Sequence, residues 1–538
     1  MRYPTQWILL LLSSALLIAC NGYNHSEKTA STDEIKNIVL MIGDGMGPAQ
    51  VGLLQDFAAF STTPLYHSRE TAMALFAKHG QLALSSTRPF NALVVDSASS
   101  ATQLATGKPA LSETIGLDAQ GNSTQTILEK AKMQGKSTGL VTDTRITHAT
   151  PAAFAAHQPH RSLENEIAID ILSNSVDVLL GGGLRHWIPQ HTSADTLALL
   201  IDEPSVQIKS KRQDQRDLLK EATYANYQLA FNAQQLNTIS TGKVLGLFAS
   251  SAMLNGIAYS QCKVANNCVQ PSLAEMTKKA LDLLSQNEQG FFLMIEGGQI
   301  DWAAHNNDAG DLLHQMLKFD ESVQAVYDWV NNRNDTLVVI TADHETGGFG
   351  FSYSRKDIQK AEVSIAGDTL VNSGKNYLPS YNFAKADILD KLYAQKKDFY
   401  DIWYAAGGDF ADKEPDATKL QTQINDNTAF TITLAEAKRI LEHEENIYRV
   451  QDHKYLAAEK FPKIDDFEEF YVYAEEVHLN LIGRVLAKHQ NTVWSTGTHT
   501  HSPVGVIAWG PDQAKQRFRG LMNHVEVGAQ LMQILGDQ

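Results

Sequence analysis

The 538-residue chain has only three cysteines, no excess of basic charge and no apolar run long enough to cross a bilayer. So few cysteines exclude a disulfide-built scaffold, and stability must come from a hydrophobic core. Against 61 acidic residues stand 45 basic ones, giving a formal net charge of −16. No basic run stands out, which argues against a nucleic-acid partner. Internal repeats and low-complexity tracts are also missing, so neither an array nor a disordered linker dominates. What is present is a 43% hydrophobic composition, ample for a large core. The length fits several average domains or one large α/β domain with insertions.

At the N-terminus, Arg2 precedes an apolar run from Trp7 to Ile18, broken only by Ser13 and Ser14, that ends at Leu17-Ile18-Ala19-Cys20. The run is shorter than the roughly 20 residues a membrane helix needs. It reads as a secretion signal, and its end resembles bacterial lipoprotein signals, in which the cysteine becomes the lipidated first residue. That resemblance implies export, with Cys20 as the only membrane attachment. Asn21 lacks the Asp that commonly retains such proteins at the inner membrane, so a periplasmic or cell-surface lipoprotein anchored in the outer membrane is expected. Residues 1–20 would be the signal peptide, 21–36 a polar tether and 37–538 the folded domain. Cys262 and Cys268 then remain. In an oxidising compartment their closeness invites one local disulfide, with free thiols as the alternative. Two thiols alone cannot complete a tetrahedral metal site.

Lys36 to Ile42 is a short apolar run that ends in Gly43-Asp44-Gly45, predicting a buried strand that delivers Asp44 at its C-terminal end. Similar strands are predicted at 138–142, 176–180, 243–248, 291–296, 336–342 and 503–508. Helical spacing marks Thr124 to Gln134, Ser272 to Leu284 and Leu312 to Val330; the last has an apolar face of Leu313, Met316, Leu317, Phe319, Val323, Val326, Tyr327 and Val330. This alternation predicts an α/β fold with a mostly parallel central sheet and helices on both faces. Ligands in such sheets gather beyond the strand C-termini, where Asp44, Glu296 and Asp343 all fall. Residues 185–240 break the rhythm, and so does the long interval between His344 and His499. Within that interval, tyrosine-bearing residues at about 351–435 read as an insertion that covers the site or builds a subunit contact, and Leu434 to Leu456 as a charged helical stretch.

The chemistry lies in four stretches: DGMG at Asp44, DSASSATQLATG from Asp96, EGGQIDWAAH from Glu296 to His305, and TADHETGG around Asp343. With His499 they supply mixed oxygen and nitrogen donors, a set that suits Zn²⁺ together with a harder ion such as Mg²⁺. The carboxylates of Asp44, Glu296, Asp301 and Asp343 would neutralise only part of the charge of two Zn²⁺ and one Mg²⁺. The surplus would attract a phosphate dianion. Ser97 follows an apolar stretch, Leu93 to Val95, read as a strand, and opens a small-residue helix. A helix N-terminus favours an anion and an activated hydroxyl. Asp301 and His305 stand four apart, on one helical face, and can grip one ion. Asp343 and His344 follow a strand and can be splayed to two different metals.

These spaced motifs, in this order over nearly all of the mature chain, resemble the alkaline phosphatase family. The resemblance implies hydrolysis of small phosphate monoesters to alcohol and inorganic phosphate, with Ser97 as the nucleophile that becomes phosphorylated. It implies two zinc ions and one magnesium ion. Asp44, Asp343 and His344 would bind the zinc that activates the serine. Asp301, His305 and His499 would hold the second zinc, which serves the leaving oxygen and water; Asp44, Thr150 and Glu296 would serve magnesium. Arg161 would fork onto two phosphate oxygens, with Arg145 as its rival. The family also implies a homodimer.

Two positions depart from the best-known bacterial members. His148 stands where they have an Asp near the magnesium, and Trp302 where they have a Lys that touches phosphate through water. The departures imply looser metal retention and faster phosphate release. A phosphodiesterase or sulfatase of the same superfamily fits DSAS poorly, since the first usually uses Thr and the second a modifiable residue in another pattern. A lipoprotein that binds phosphate or metal without turnover would not need the full set of nucleophile, arginine and ligands.

Overall fold

The computed structural model describes residues 35–66, 68–192, 209–358, 379–409 and 413–536. The signal sequence, Cys20 and most of the tether lie outside these residues, as does Tyr377 of the insertion. Among the described residues no helix is long and apolar enough to cross a membrane.

The core is built around β1 (Asn37–Gly43), the run NIVLMIG, buried along its whole length. Successive side chains of a strand point to opposite faces. Val39 and Met41 therefore enter one apolar cluster, while Ile38, Leu40 and Ile42 enter another. Both faces are covered by helices. On the first lie helices Pro48–Phe60, Ala72–His79, Leu273–Leu284 and Ala309–Val330; on the second lie Ser97–Thr106, Ile127–Met133, Ala149–Ala155, Glu164–Asn174 and His524–Gly536. Helix Leu273–Leu284 shows how the sequence fixes such an element. Ser272 and Glu275 close a capping box at its start, and Met276, Ala280, Leu281 and Leu284 are buried.

Among the described residues, ten strands form the main sheet. In chain order they are β1, β2 (Gln81–Ser86), β3 (Ser137–Arg145), β4 (Val178–Gly182), β5 (Tyr227–Ala230), β6 (Lys243–Leu247), β7 (Phe291–Gly297), β8 (Thr336–Thr341), β9 (Val504–Trp509) and β10 (Gly520–Asn523). Their spatial order is β10-β2-β9-β8-β1-β7-β3-β4-β6-β5. Only β9 runs against its neighbours, pairing antiparallel with both β8 and β2. The expected mostly parallel sheet with helices on both faces is what is found. In register, Ile42 faces Glu296 on β7 and Thr341 on β8. Asp44, Glu296 and Asp343 thus emerge at the same end of three adjacent strands.

Two expectations are corrected. Leu93 to Val95 is not a strand but a bend leading into helix Ser97–Thr106, with Leu93 73% exposed. Leu434 to Leu456 is helical only as Leu434–Ile440, after which the chain pairs His443–Glu445 with Lys460–Pro462. The segment that walls the cleft lies mostly beyond the proposed insertion, at 453–476. The tyrosines of 351–435 divide in purpose. Tyr400 reaches the cleft, Tyr393 packs on Phe57 and His314, and Tyr353 clusters with Tyr381 and Phe383 at the surface. Cys262 and Cys268 are joined as a disulfide closing a short loop.

Candidate active site

Ser97 is the first residue of its helix, and Asp96 caps it by accepting from the backbone N–H groups of Ala98 and Ser99. The run of Ala, Ser and Thr in this helix has a packing reason. Every residue from Ser97 to Thr106 is buried, and its terminal Gly107 adopts φ +65° within 2.7 Å, measured from an added Cβ, of the Ala529 backbone. Small side chains let helix His524–Gly536 press against the helix that holds the serine. At the other side of the site, Gly45 has φ +73°, and a Cβ there would lie 2.7 Å from the Asp301 Cα. The glycine after Asp44 is what lets two metal-type carboxylates approach.

Three groups of donors surround the end of β1. In the first, Asp301, His305 and His499 place one ligand atom each within 4.8 Å of one another. His305 Nε2 is 3.1 Å from His499 Nε2 and 3.4 Å from Asp301 Oδ2. The Nδ1 atoms of these two histidines lie 2.7 Å from the backbone carbonyls of Gly497 and Val95. Each carbonyl can accept only an N–H, so Nδ1 carries a proton in each ring and both Nε2 atoms converge on one point. In the second, His344 Nε2 lies 3.4 Å from Asp44 Oδ1, 3.2 Å from Asp343 Oδ2 and 3.2 Å from Ser97 Oγ. The adjacent pair Asp343 and His344 is therefore not splayed; both turn to the same place. Asp343 Oδ1 accepts from the N–H groups of Gly45 and His344, which leaves Oδ2 free.

The third group is Asp44, His148 and Glu296, again within 4.8 Å of one another. Glu296 Oε2 accepts from the hydroxyls of Thr142 and Thr144, while Oε1 and both oxygens of Asp44 have no hydrogen-bond partner. Thr150 lies beside Glu296 and is fully buried. Buried carboxylate oxygens without donors are costly unless a cation meets them. This donor set fits a multi-metal centre, with imidazole-rich groups suited to zinc and an oxygen-rich one to magnesium.

Burial and charge at these groups point the same way. Burial, reinforced by Asp343, Asp301 and Glu296, holds the Asp44 carboxyl well above its ordinary range. Burial pushes Glu296 up to about 8, against the hydrogen bond from Thr142 and with the help of Asp143. Burial and the charge of Asp301 push Asp343 up to about 7. Burial and His499 keep His344 well below the usual imidazole range, and burial brings His499 down to about 4. Neutral imidazoles are the form that binds metal.

Both candidate arginines line the same cleft of about 1160 Å³, but they are differently engaged. Arg145 spends its fork on Glu164, at 2.8 and 3.1 Å, and also faces Trp302. Arg161 donates to Asp96 Oδ2 at 3.1 Å and approaches His148 Nε2 at 3.3 Å, where it borders the cleft. Trp302 stands edge-on to His148, ring centroids 5.9 Å apart. Sequence reasoning missed several neighbours. Tyr473 packs edge-on against His305, Glu476 Oε2 lies 3.8 Å from His305 Nδ1, and Thr346 Oγ1 donates to Asp301. The acid- and aromatic-rich FEEFYVYAEE segment was the one available signal for the first two.

A family model described as alkaline phosphatase matches residues 35–536. Alkaline phosphatase 4 of Bacillus subtilis (strain 168) is 29% identical over 519 residues, 95% of this chain and 91% of the relative. Alkaline phosphatase 3 of the same organism is 30% identical over 515 residues, again 95% and 91%. Among solved structures, the cold-active enzyme of a psychrophilic Shewanella sp. superposes with a TM-score of 0.66 at 25% identity, over 93% of this chain and 99% of that one. The Thermus thermophilus alkaline phosphatase reaches 0.70 at 23% identity, over 97% and 96%, and supports the fold. With the sequence matched from the first strand to the last helix, the chain belongs to the alkaline phosphatase family and is a phosphatase.

Proposed function

We propose that the chain hydrolyses phosphate monoesters by double displacement through a phosphoserine at Ser97, in a site that holds two zinc ions and one magnesium ion. The observation that carries this reading is the position of Ser97 Oγ. It sits at a helix N-terminus, 3.2 Å from His344 Nε2, with the donor groups below it and Arg161 in the same cleft. Asp44, Asp343 and His344 would hold one zinc; Asp301, His305 and His499 the other; Asp44, Glu296 and Thr150 the magnesium. Bound there, the ions supply Lewis acidity, lowering the pKa of hydroxyls that reach them and offsetting phosphoryl charge.

Arg161 forks onto two non-bridging oxygens and turns the phosphorus toward Ser97. Ser97 Oγ forms the new P–O bond as the ester P–O bond breaks and the alcohol leaves. Water then attacks the phosphoserine, breaking the P–Oγ bond and restoring the hydroxyl. Little of the alcohol is recognised in such a mechanism, so substrates should be small monoesters of varied alcohols. Export behind the N-terminal signal, anchoring at Cys20 and homodimerisation belong to the same proposal. The Cys262–Cys268 disulfide suits an oxidising compartment.

The test is kcat/KM for an aryl phosphate monoester, its diester and its sulfate, with Zn²⁺ and Mg²⁺ at mildly alkaline pH. A monoester preference of at least ~10³-fold is expected; a diester or sulfate preference would overturn the substrate assignment. A second prediction concerns Trp302. A lysine there would add a cation to the phosphate cleft beside His148, and a partly exposed charge pair is worth about 1 kcal/mol. Trp302→Lys should lower the inhibition constant for inorganic phosphate about 3- to 10-fold and slow product release. An unchanged constant would show that the missing cation does not set phosphate retention.

A further inference from the structure

Away from the cleft, Glu414, His443 and His478 bring three ligand atoms within 4.8 Å of one another. They come from three segments. Glu414 precedes helix Ala417–Asn427, His443 opens the strand His443–Glu445, and His478 lies in the first turn of helix Val477–Gln490. Glu414 Oε1 is 2.9 Å from His443 Nε2 and 3.3 Å from His478 Nε2. On the far side of each ring, Nδ1 meets a backbone carbonyl: Leu441 O at 3.3 Å for His443 and Ile440 O at 3.1 Å for His478. Those carbonyls place the imidazole proton on Nδ1 and aim both Nε2 lone pairs at the carboxylate. Trp403 stacks on His478 with centroids 4.6 Å apart and fixes that ring in place.

Without a cation this arrangement is unfavourable. Each Nε2 could donate to Glu414 only as an imidazolium, which would put two positive rings 5.5 Å apart around one oxygen. His478 is also buried, where a charged ring is costly. A neutral lone pair facing a carboxylate oxygen is repulsive, whereas a dication between them satisfies all three atoms. Two imidazoles and a carboxylate, each imidazole held by a backbone carbonyl, make a set that suits zinc and leaves one position for water.

We propose that Glu414, His443 and His478 form a binding site for a transition-metal dication of the Zn²⁺ class, separate from the catalytic cleft. The ion clamps the Glu414 loop and the His443 strand to helix Val477–Gln490. Two residues before His478 stands Glu476, beside His305. The clamp therefore steadies the cleft wall at its attachment to the fold, and its role is structural.

The experiment compares the zinc content of the soluble full-length mature protein with that of His443→Ala and Glu414→Gln, after dialysis against buffered Zn²⁺. Neither residue touches the catalytic donors. Each variant should carry one equivalent of zinc fewer per chain, keep kcat within about twofold, and lose part of the zinc-dependent rise in Tm. Crystals of the unaltered protein soaked in Zn²⁺ should show an anomalous peak between the two Nε2 atoms and Glu414. Equal zinc content in all three proteins, or soaked crystals with no such peak, would overturn the proposal. The crystal readout holds even if a variant folds poorly.

Discussion

Ser97→Ala should lower kcat by at least ~10³-fold and abolish the phosphate burst, while zinc content and the inhibition constant for phosphate change little. Such a fall corresponds to about 4 kcal/mol of transition-state stabilisation. The neighbouring hydroxyls cannot replace it. Ser99 Oγ donates to the Ala110 carbonyl at 3.1 Å, and Ser100 Oγ donates to the Asp343 carbonyl at 2.7 Å. Of these three serines, Ser97 is the one whose hydroxyl meets His344 Nε2, at 3.2 Å. The helix should survive the change, because its cap is Asp96 and alanine is a good helix former. Arg161 and the metal-type residues also stay in place, so residual hydrolysis by direct attack of water is expected. A full burst from the alanine variant would remove Ser97 from the nucleophile's role.

Much of this site was legible because its chemistry sits where apolar runs stop. The strands before Asp44, Glu296 and Asp343 are buried on both faces and read as continuous hydrophobic runs. The missed strands carry the opposite signal. In β2 the leucines Leu82 and Leu84 are exposed, while Ala83 and Ser85 are buried, so its hydrophobic pattern points the wrong way. The strands β5 and β10 are only four residues each. Leu93 and Val94 look like strand residues yet lie exposed before the serine helix. Residues 453–476 wall the cleft through contacts distant in sequence, such as Tyr473 on His305, which no local periodicity encodes. The same holds for Glu414, His443 and His478. The charged stretch around His443 reads as helical until the pairing of His443 with Pro462 turns the chain.

Removing the metals should lower stability, and by more as pH rises. An ion bound at about a thousand times its dissociation constant stabilises the fold by about 4 kcal/mol. Near the unfolding transition of a chain this long, that is worth about 4 °C per ion, so the three ions proposed for the cleft would account for a fall of about 10 °C in Tm. The pH dependence of the stripped protein follows from groups whose folded pKa is raised. Glu296 at about 8, Asp343 at about 7 and His305 at about 9 hold protons in the folded state that the unfolded chain has already released above pH 6.5. For His305, burial opposes the charge, and the Asp301 carboxylate outweighs it. Where the folded state binds more protons than the unfolded one, stability falls as pH rises, by about 1.4 kcal/mol per pH unit for each such group. His344 and His499, with lowered values, act in the opposite sense only below pH 6.5, so they do not cancel this slope above it. Chelated protein should therefore lose several degrees of Tm between pH 6.5 and 8.5. Metal-loaded protein should hold or gain over the same interval, because its ligands bind only when deprotonated. Calorimetry on both forms across this range checks the sign: parallel curves would mean that the buried carboxylates are not what the metals neutralise.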